Sequence, residues 1–456
     1  MSHKPYPAYK PSGSGWLGEI PAHWDILRFK FLISEPLKYG ANEVAELDDP
    51  ILPRYVRITD VNEDGTLRDD TFKSLREDAA YTYLLKDGDL LFARSGATVG
   101  KTFLYQESWG RAAYAGYLIR GRIALGKMLP QFAAYFARST NYWNWIFSSI
   151  IQATIQNVSA EKYNNLVLSV PPLDEQSKIV VCLDRETARI DRLIEKKERQ
   201  IELLQEKRTA LISHAVTRGL NPNAPMKDSG IEWLGEIPAH WEVVRVKSLE
   251  GNSSSVVQTG PFGAQLHAKD YLDDGVPLIL IRNVKEMRIN DTNIPRVSPE
   301  DADRLSAYRL KKGDIIFSRV GSIGRIALCT EREQDWLISG QMLRIRIINP
   351  RLNDEFAAYA IGCSAILTFI ELQSVGSTRE SINTDILRNL PLPIPSFNEQ
   401  RAIAAFLDRE TARIDALIMK IKESIDKLRE YRTAMISAAV TGKIKVNDEW
   451  GVMSDE

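Results

Sequence analysis

Two stretches of this chain carry the same apolar rhythm. Between Asp174 and Thr217, the residues Ile190, Ile194, Ile201, Leu204, Leu211 and Ala215 fall at alternating steps of four and three, with Lys197 and Arg208 in the skipped slots. Between Asn398 and Thr441 the series is Ile414, Ile418, Ile421, Ile425, Leu428, Met435 and Ala439, with Arg432 at the slot matching Arg208. This spacing predicts two long helices, each with an a/d seam of about four heptads and charged residues elsewhere. Each follows a proline-rich stretch, with Asp174 and Asn398 as candidate N-caps, and each stops near a glycine, Gly219 or Gly442. At ~1.5 Å per residue such helices are rods of roughly 65 Å. A narrow apolar stripe is unstable in water. Pairing the two rods antiparallel, with one globular domain at each end, covers both stripes. The alternative, each helix lying only on its own domain, fits less well because the rods are longer than one domain needs.

The rest of the chain mixes short apolar runs (Leu90–Phe92, Val167–Val170, Leu278–Ile281, Ile315–Phe317, Leu343–Ile348) with helical stretches at 130–150 and 353–372. Turns such as "EDGT" and "DDGV" separate them. The expectation is an α/β fold: two similar globular domains joined by two long helices in an antiparallel coiled coil with pseudo-twofold symmetry.

The similarity of the domains is written in the sequence. "WLGEIPAHW" stands at 16–24 and again at 233–241, "LKDGDLLFARSG" at 85–96 answers to "LKKGDIIFSRVG" at 310–321, and "LDRETARID" recurs at 183–191 and 407–415. The chain is a tandem duplication with a period near 220 residues, longer than a solenoid unit. It divides into a first domain (1–173), a long helix (174–218), a linker and second domain (219–397), a second long helix (398–442) and a tail (443–456). The tags and helices agree closely between copies, whereas 40–80 has little counterpart in 255–300. Drift after duplication explains this, as does recognition of two different targets on one scaffold.

Composition narrows the function. Three scattered cysteines, Cys182, Cys329 and Cys363, without a C-x-x-C pair argue against zinc and disulfides and fit a reducing cytosol. No apolar run approaches the length of a membrane span, and the N-terminus lacks a signal core, so a cytoplasmic protein without a membrane partner is expected. A net charge of −1 weighs mildly against nucleic-acid binding by the chain as a whole, yet allows a local basic face or phosphate contacts made by partners.

The catalytic readings fail in turn. "ARSGATVGKT" at 93–102 looks like a phosphate loop, but Gly96 and Gly100 enclose three residues where that loop needs four. Its second copy, "SRVGSIGRIA", places Arg325 and Ile326 at the positions of Lys101 and Thr102, removing the Mg²⁺-binding hydroxyl. The copies share a strand that runs into a glycine-bent basic turn, suited to close approach to another backbone, DNA phosphate among the candidates. "GSGWLG" at 13–18 has no strand before it, and its spacing is broken in the second copy. None of the five histidines has a metal-ligand partner at a useful spacing, and His23 and His240, inside the tags, are expected to serve packing. The residues therefore point to a recognition and assembly protein with no catalytic and no metal-binding residues.

The order tag, variable domain, long helix, taken twice, resembles the specificity (S) subunit of type I restriction–modification enzymes over nearly the whole chain. The tags, the two "GD(L/I)(L/I)F(A/S)R" turns, "GPFGAQL" at 260–266 with "GVPLILIRNV" at 275–284, and "PSFNEQRAIAAFLDRETARID" at 395–415 carry the resemblance. It implies that each variable domain reads one half of a split site in double-stranded DNA and that the coiled coil sets the spacer. It also implies that two modification (methyltransferase) subunits and the restriction (motor-nuclease) subunits assemble on this chain, and that S-adenosylmethionine, ATP and Mg belong to those partners. A coiled-coil adaptor with two protein-binding domains is the alternative. Base and phosphate contacts call for Arg, Lys, Asn, Gln, Ser or Thr. The candidates in the first half are Arg57, Arg94, Ser95, Thr98, Lys101, Gln156 and Asn157. Those in the second are Gln265, Lys269, Arg282, Asn283, Arg319, Ser322, Arg325, Ser377, Thr378 and Arg379. Arg94 and Arg319, shared by both copies, suit phosphate or the scaffold as well as a base.

Overall fold

A computed structural model of the chain describes residues 5–62, 66–151, 157–249, 257–261, 265–285, 287–320, 325–374 and 382–446. It separates into two compact units, Met1–Lys197 with Lys422–Glu456, and Glu198–Ile421. These cut across the sequence boundaries. Each unit holds one globular half, the beginning of one long helix and the end of the other.

The long helices are α1 (Leu173–Arg218) and α2 (Phe397–Val440). Both start one residue before the expected caps, so Asp174 and Asn398 lie in the first turn. The preceding residues are Pro172, which has no N–H to satisfy, and Ser396, whose Oγ accepts from the Glu399 N–H at 3.4 Å. Both helices end against glycines with left-handed backbone, φ +76° at Gly219 and +70° at Gly442. A Cβ on Gly442 would lie 2.3 Å from Pro21 Cδ, so that end is closed to any side chain.

Burial follows the heptad steps. In the first unit Ile190 is buried and Ile194 half-buried on α1; Ile425 is buried and Leu428 half-buried on α2, followed by Met435 and Ala439. In the second unit Ile201, Leu204 and Leu211 are half-buried on α1, while on α2 Ile414 and Ile418 are buried and Ile421 half-buried. The series also extends to Leu183, Thr187, Leu407 and Thr411, all buried. Cross-helix ion pairs show the direction. Arg432 Nη2 lies 3.1 Å from Asp191 in the first unit, and Arg208 Nε lies 3.4 Å from Asp415 in the second. The paired residue numbers sum to 623 in both, as one antiparallel register requires.

The identical tags act as clasps. In the first unit Glu19–Pro21 pairs with Tyr9–Pro11, and His23 Nε2 lies 2.9 Å from Glu175 in the first turn of α1. Lys443, just past the end of α2, donates to the Glu19 carbonyl at 2.6 Å. In the second unit Glu236–Pro238 pairs with Met226–Asp228, and His240 lies 3.0 Å from Glu399 in the first turn of α2. Trp241 and Pro238 close on Gly219 at the end of α1. Each tag thus holds the start of one helix beside the end of the other. His23 and His240 are about half exposed and hydrogen-bond these helix-start glutamates, a more specific role than packing.

The globular parts share one topology. In the first unit β1 (Lys38–Tyr39), β2 (Asp89–Ala93), β3 (Thr102–Leu104) and β4 (Leu118–Arg122) form an antiparallel sheet in the order β1-β4-β2-β3. In the second, β5 (Val257–Thr259), β6 (Ile315–Ser318), β7 (Ile326–Leu328) and β8 (Met342–Ile345) repeat it as β5-β8-β6-β7. Beside each sheet lies a parallel pair, Arg54–Val56 with Ala112–Tyr114 and Leu278–Ile279 with Leu337–Ile338. The stretches whose sequences diverge therefore fold alike.

Four elements differ from expectation. The helices at 130–150 and 353–372 are each broken, into Pro130–Phe136 and Thr140–Ile151, and into Asp354–Ile361 and Ser364–Ser374. At the first break Ser139 accepts from the Tyr142 N–H and so starts a new helix; at the second stands Gly362. The run at 278–281 stops as a strand at Ile279 because the Asn283 side chain accepts from the Leu280 N–H and folds the chain into a tight turn. The run at 343–348 leaves the sheet at Ile345, and Ile348 is exposed. Among the described residues no single helix is long and apolar enough to cross a membrane.

A buried charge anchors each sheet. The Asp of the shared "GD" turn, Asp89 or Asp314, is 0% or 1% exposed. Asp89 takes two hydrogen bonds from Arg122, both at 2.8 Å, and Asp314 two from Arg346, at 2.6 and 2.5 Å. Each carboxylate also accepts from a turn N–H, of Lys86 or Lys311. Burial and the nearby Arg346 push the guanidinium of Arg344 down from its ordinary value, and removing the Asp314 carboxylate would leave Arg346 without its two carboxylate bonds beside it. Asp314→Ala should therefore destabilise the full chain by about 3–5 kcal/mol in urea unfolding. A loss under about 1 kcal/mol would show that the pair is not an anchor.

Candidate nucleic-acid interface

The basic turn grows out of the central strand of each sheet. After β2, the Arg94 N–H donates to the Tyr117 carbonyl at 3.0 Å, and its carbonyl accepts from Val158 at 2.9 Å. After β6, Arg319 donates to Gln341 and accepts from Ile382 in the same way. The shared arginine thus joins three segments through its backbone before its side chain does anything. The Arg94 guanidinium lies 4.7 Å from the Tyr39 ring centroid, and its Nε is buried without a hydrogen-bond partner among the described residues. Tyr39 in turn accepts from the Ala160 N–H.

The turn itself cannot cradle a nucleotide phosphate. The N–H groups of Val99, Gly100 and Lys101 already donate to Gly96, Ala93 and Thr98. A phosphate loop needs such donors unpaired. The two glycines serve geometry: φ is +79° at Gly96 and +86° at Gly100, and a Cβ on Gly100 would lie 2.9 Å from the Ile146 side chain. Ser95 bridges to Asn157, whose Oδ1 is buried without a partner among the described residues. Thr98 and Lys101 complete the turn, and Lys101 reaches toward the end of α2.

The remaining candidates separate by what already holds them. Arg57 is tied down: its Nε and Nη2 bond Asp60 at 2.9 and 2.7 Å, and Nη2 also bonds the Thr71 carbonyl. Asn283 is 2% exposed, with its amide divided between Leu280 and Asn290. Both brace a turn. In the second unit Gln265 is exposed, but its Oε1 accepts from Tyr308 at 3.1 Å. Lys269, Arg282 and Arg325 are exposed. Arg282 and Lys269 stand on two single-turn helices, Ile281–Asn283 and Ala268–Asp270. Gln156, Ser322, Ser377, Thr378 and Arg379 lie outside the described residues.

The sequence reading missed the aromatics. Tyr39 seats Arg94, and Tyr117, 65% exposed, presents its carbonyl to the same arginine. Repeat comparison points to shared residues, and neither tyrosine has a tyrosine counterpart in the second copy. Nucleophilic chemistry finds no support in the cysteines. Burial pushes the thiols of Cys182 and Cys363 up to about 11 and that of Cys329 up as well, away from the thiolate form. Among the described residues no cluster of His, Cys, Asp or Glu could hold a metal ion.

Known proteins resemble this arrangement throughout. The type I restriction enzyme MjaVIII specificity subunit of Methanocaldococcus jannaschii is 21% identical over 438 residues, 94% of this chain and 95% of the relative. The putative MjaX specificity subunit of the same organism is 26% identical over 440 residues, 94% and 96%. Among solved structures, a chain from work on complex assembly and conformational transition of the type I R-M system superposes with a TM-score of 0.68 at 17% identity, covering 92% of this chain and 98% of that one. The HsdS subunit from Thermoanaerobacter tengcongensis gives 0.51 at 16%, covering 93% and 98%. The type I restriction modification DNA specificity domain matches residues 43–203 and 277–427, more than half of the chain and once in each half, and the chain belongs to this family.

Proposed function

We propose that this chain is the DNA-specificity subunit of a type I restriction–modification complex. Each unit reads one half of a split DNA site, and the paired helices set the spacer between the halves. The observation that carries this reading is the repetition of one sheet topology with different exposed side chains around it: Arg282 and Lys269 in one unit, Tyr39 and Tyr117 in the other. One scaffold presented twice with different faces suits a bipartite, asymmetric target. Two modification subunits and the restriction subunits assemble on it in the cytoplasm. They bind S-adenosylmethionine, ATP and Mg²⁺, and this chain contributes recognition without catalysis. A net charge of −1 fits such a division, because the enclosing subunits then supply much of the phosphate contact.

The methylated motif of host DNA tests the reading. With this subunit present the motif should be two specified blocks around an unspecified gap, and it should vanish when the subunit is deleted. A contiguous motif, or one that survives the deletion, would overturn the assignment.

Single substitutions should act on one block only. Arg282→Ala should relax one base position in the block read by the second unit, at about 1–3 kcal/mol of discrimination. Arg57→Ala should instead lower the melting temperature of the chain and leave the motif intact, since Arg57 is bound to Asp60 and Thr71. Sequencing methylated DNA from cells carrying each variant distinguishes the two effects.

Adding one heptad to each long helix should lengthen the gap. Seven residues add about 10 Å of helix, roughly three base pairs at 3.4 Å each. An unchanged gap in such a variant would show that the helices do not set it.

A further inference from the structure

In each unit one tight turn links the parallel pair to the sheet. In the first unit it spans 115–118, between Ala112–Tyr114 and β4; in the second it spans 339–342, between Leu337–Ile338 and β8. Four backbone hydrogen bonds fix it, and they correspond one to one. The fourth residue donates to the first: Leu118 to Ala115 at 2.8 Å, and Met342 to Ser339 at 2.9 Å. The first residue donates to the neighbouring parallel strand, Ala115 to Val56 and Ser339 to Ile279. The carbonyl of the fourth residue accepts from Gly40 or Gly260, and that of the third accepts from Arg94 or Arg319. Both glycines come too close to admit a side chain. A Cβ on Gly40 would lie 2.2 Å from the Tyr114 carbonyl oxygen, and one on Gly260 would lie 2.1 Å from that of Ser339.

The backbone of this turn is thus one object built twice, with glycine second in both copies. Its third side chain differs: Tyr117 in the first unit, Gln341 in the second. Both residues are exposed. Among the described residues neither side chain makes a hydrogen bond, ion pair or ring contact, so neither braces the fold as Arg57 and Asn283 do. Their place is shared as well. Leu118 pairs with Ala93, and the Ala93 N–H bonds the Lys101 carbonyl on its other side. Met342 pairs with Ser318, and the Ser318 N–H bonds the Arg325 carbonyl. The turn, the shared arginine and a further basic residue therefore stand at one end of the sheet, on three adjacent strands about 4.8 Å apart.

Reading a base requires a side chain delivered to a fixed position by a rigid support. This turn supplies the support, and its third residue can change at little cost to folding because it packs on nothing. We propose that the third residue of the turn is a specificity-determining position in each unit. Gln341 pairs through its amide with the N6 and N7 edge of an adenine, and the Tyr117 ring covers a thymine methyl. This assignment rests on the DNA-specificity reading and names two of the residues that carry it out.

Cells carrying the full system with the wild-type chain, Gln341→Ala, Gln341→Glu or Tyr117→Ala supply the test. Methylation of their genomic DNA is read at sites that match the motif and at sites one base away from it. Gln341→Ala should reduce the preference for adenine at one position of one block by about tenfold or more. Tyr117→Ala should do the same for thymine at one position of the other block. Gln341→Glu should move its position from adenine to cytosine, whose amino group a carboxylate accepts. All three variants should keep the wild-type melting temperature and assemble with the modification subunits. A lowered melting temperature or lost assembly with an unchanged motif makes the turn a brace or a partner contact and overturns the proposal. A glutamate variant that keeps adenine overturns the pairing assigned to the amide. A wild-type motif that is contiguous, or that outlives deletion of the subunit, brings down the DNA-specificity reading and this assignment with it. A bipartite motif that the alanine variants leave unmoved overturns this assignment alone.

Discussion

A helix with a two-in-seven apolar stripe is stable in water only when that stripe is covered, and the rest of this molecule is arranged around meeting that requirement. Each compact unit covers the beginning of one long helix with the end of the other. Because the pairing is antiparallel, the same side-chain sets face each other in both units, and a duplicated sequence can satisfy both with one pattern. The images of a single ion pair, Arg432 with Asp191 and Arg208 with Asp415, express this economy. Two further devices repeat at the same spacing. Tyr135 bonds Asp184 and Thr187 as Tyr359 bonds Asp408 and Thr411, and Gln176 ties the chain before its helix as Gln400 does.

The tags and helices were legible in the sequence because their constraints are local and repeated. A heptad needs only spacing, and an exact repeat needs only comparison. The helix ends were legible to within two residues, since glycine marks one side and proline the other. Breaks within helical stretches were not, because they depend on one serine that caps or one glycine that interrupts, and neither disturbs the apolar pattern. The divergent interiors were illegible for another reason. Strands of two to five residues, fixed by a buried Arg–Asp pair more than 30 residues apart, have no short-range signature.

Site residues were the least legible. Arg57 and Asn283 have the right chemistry for a base edge, yet both are consumed in bracing turns. Residue type alone cannot separate an arginine that reads from one that holds. The basic turn shows the same limit from the other side. Its Gly-Lys-Thr suggests a phosphate cradle, and only the backbone hydrogen bonds show that its N–H donors are already occupied.

Asp89 and Asp314 have a consequence for how such a protein changes over time. Each fastens its sheet from the inside, at a buried residue bonded within its own half, and leaves exposed positions such as Arg282 and Lys269 outside that fastening. Substitutions at such exposed positions then cost little folding stability, so new target preferences are reachable by single steps that leave a folded chain. The two units can take those steps independently, because each has its own fastening. A fold organised this way separates being stable from being selective, and lets the second vary while the first is kept.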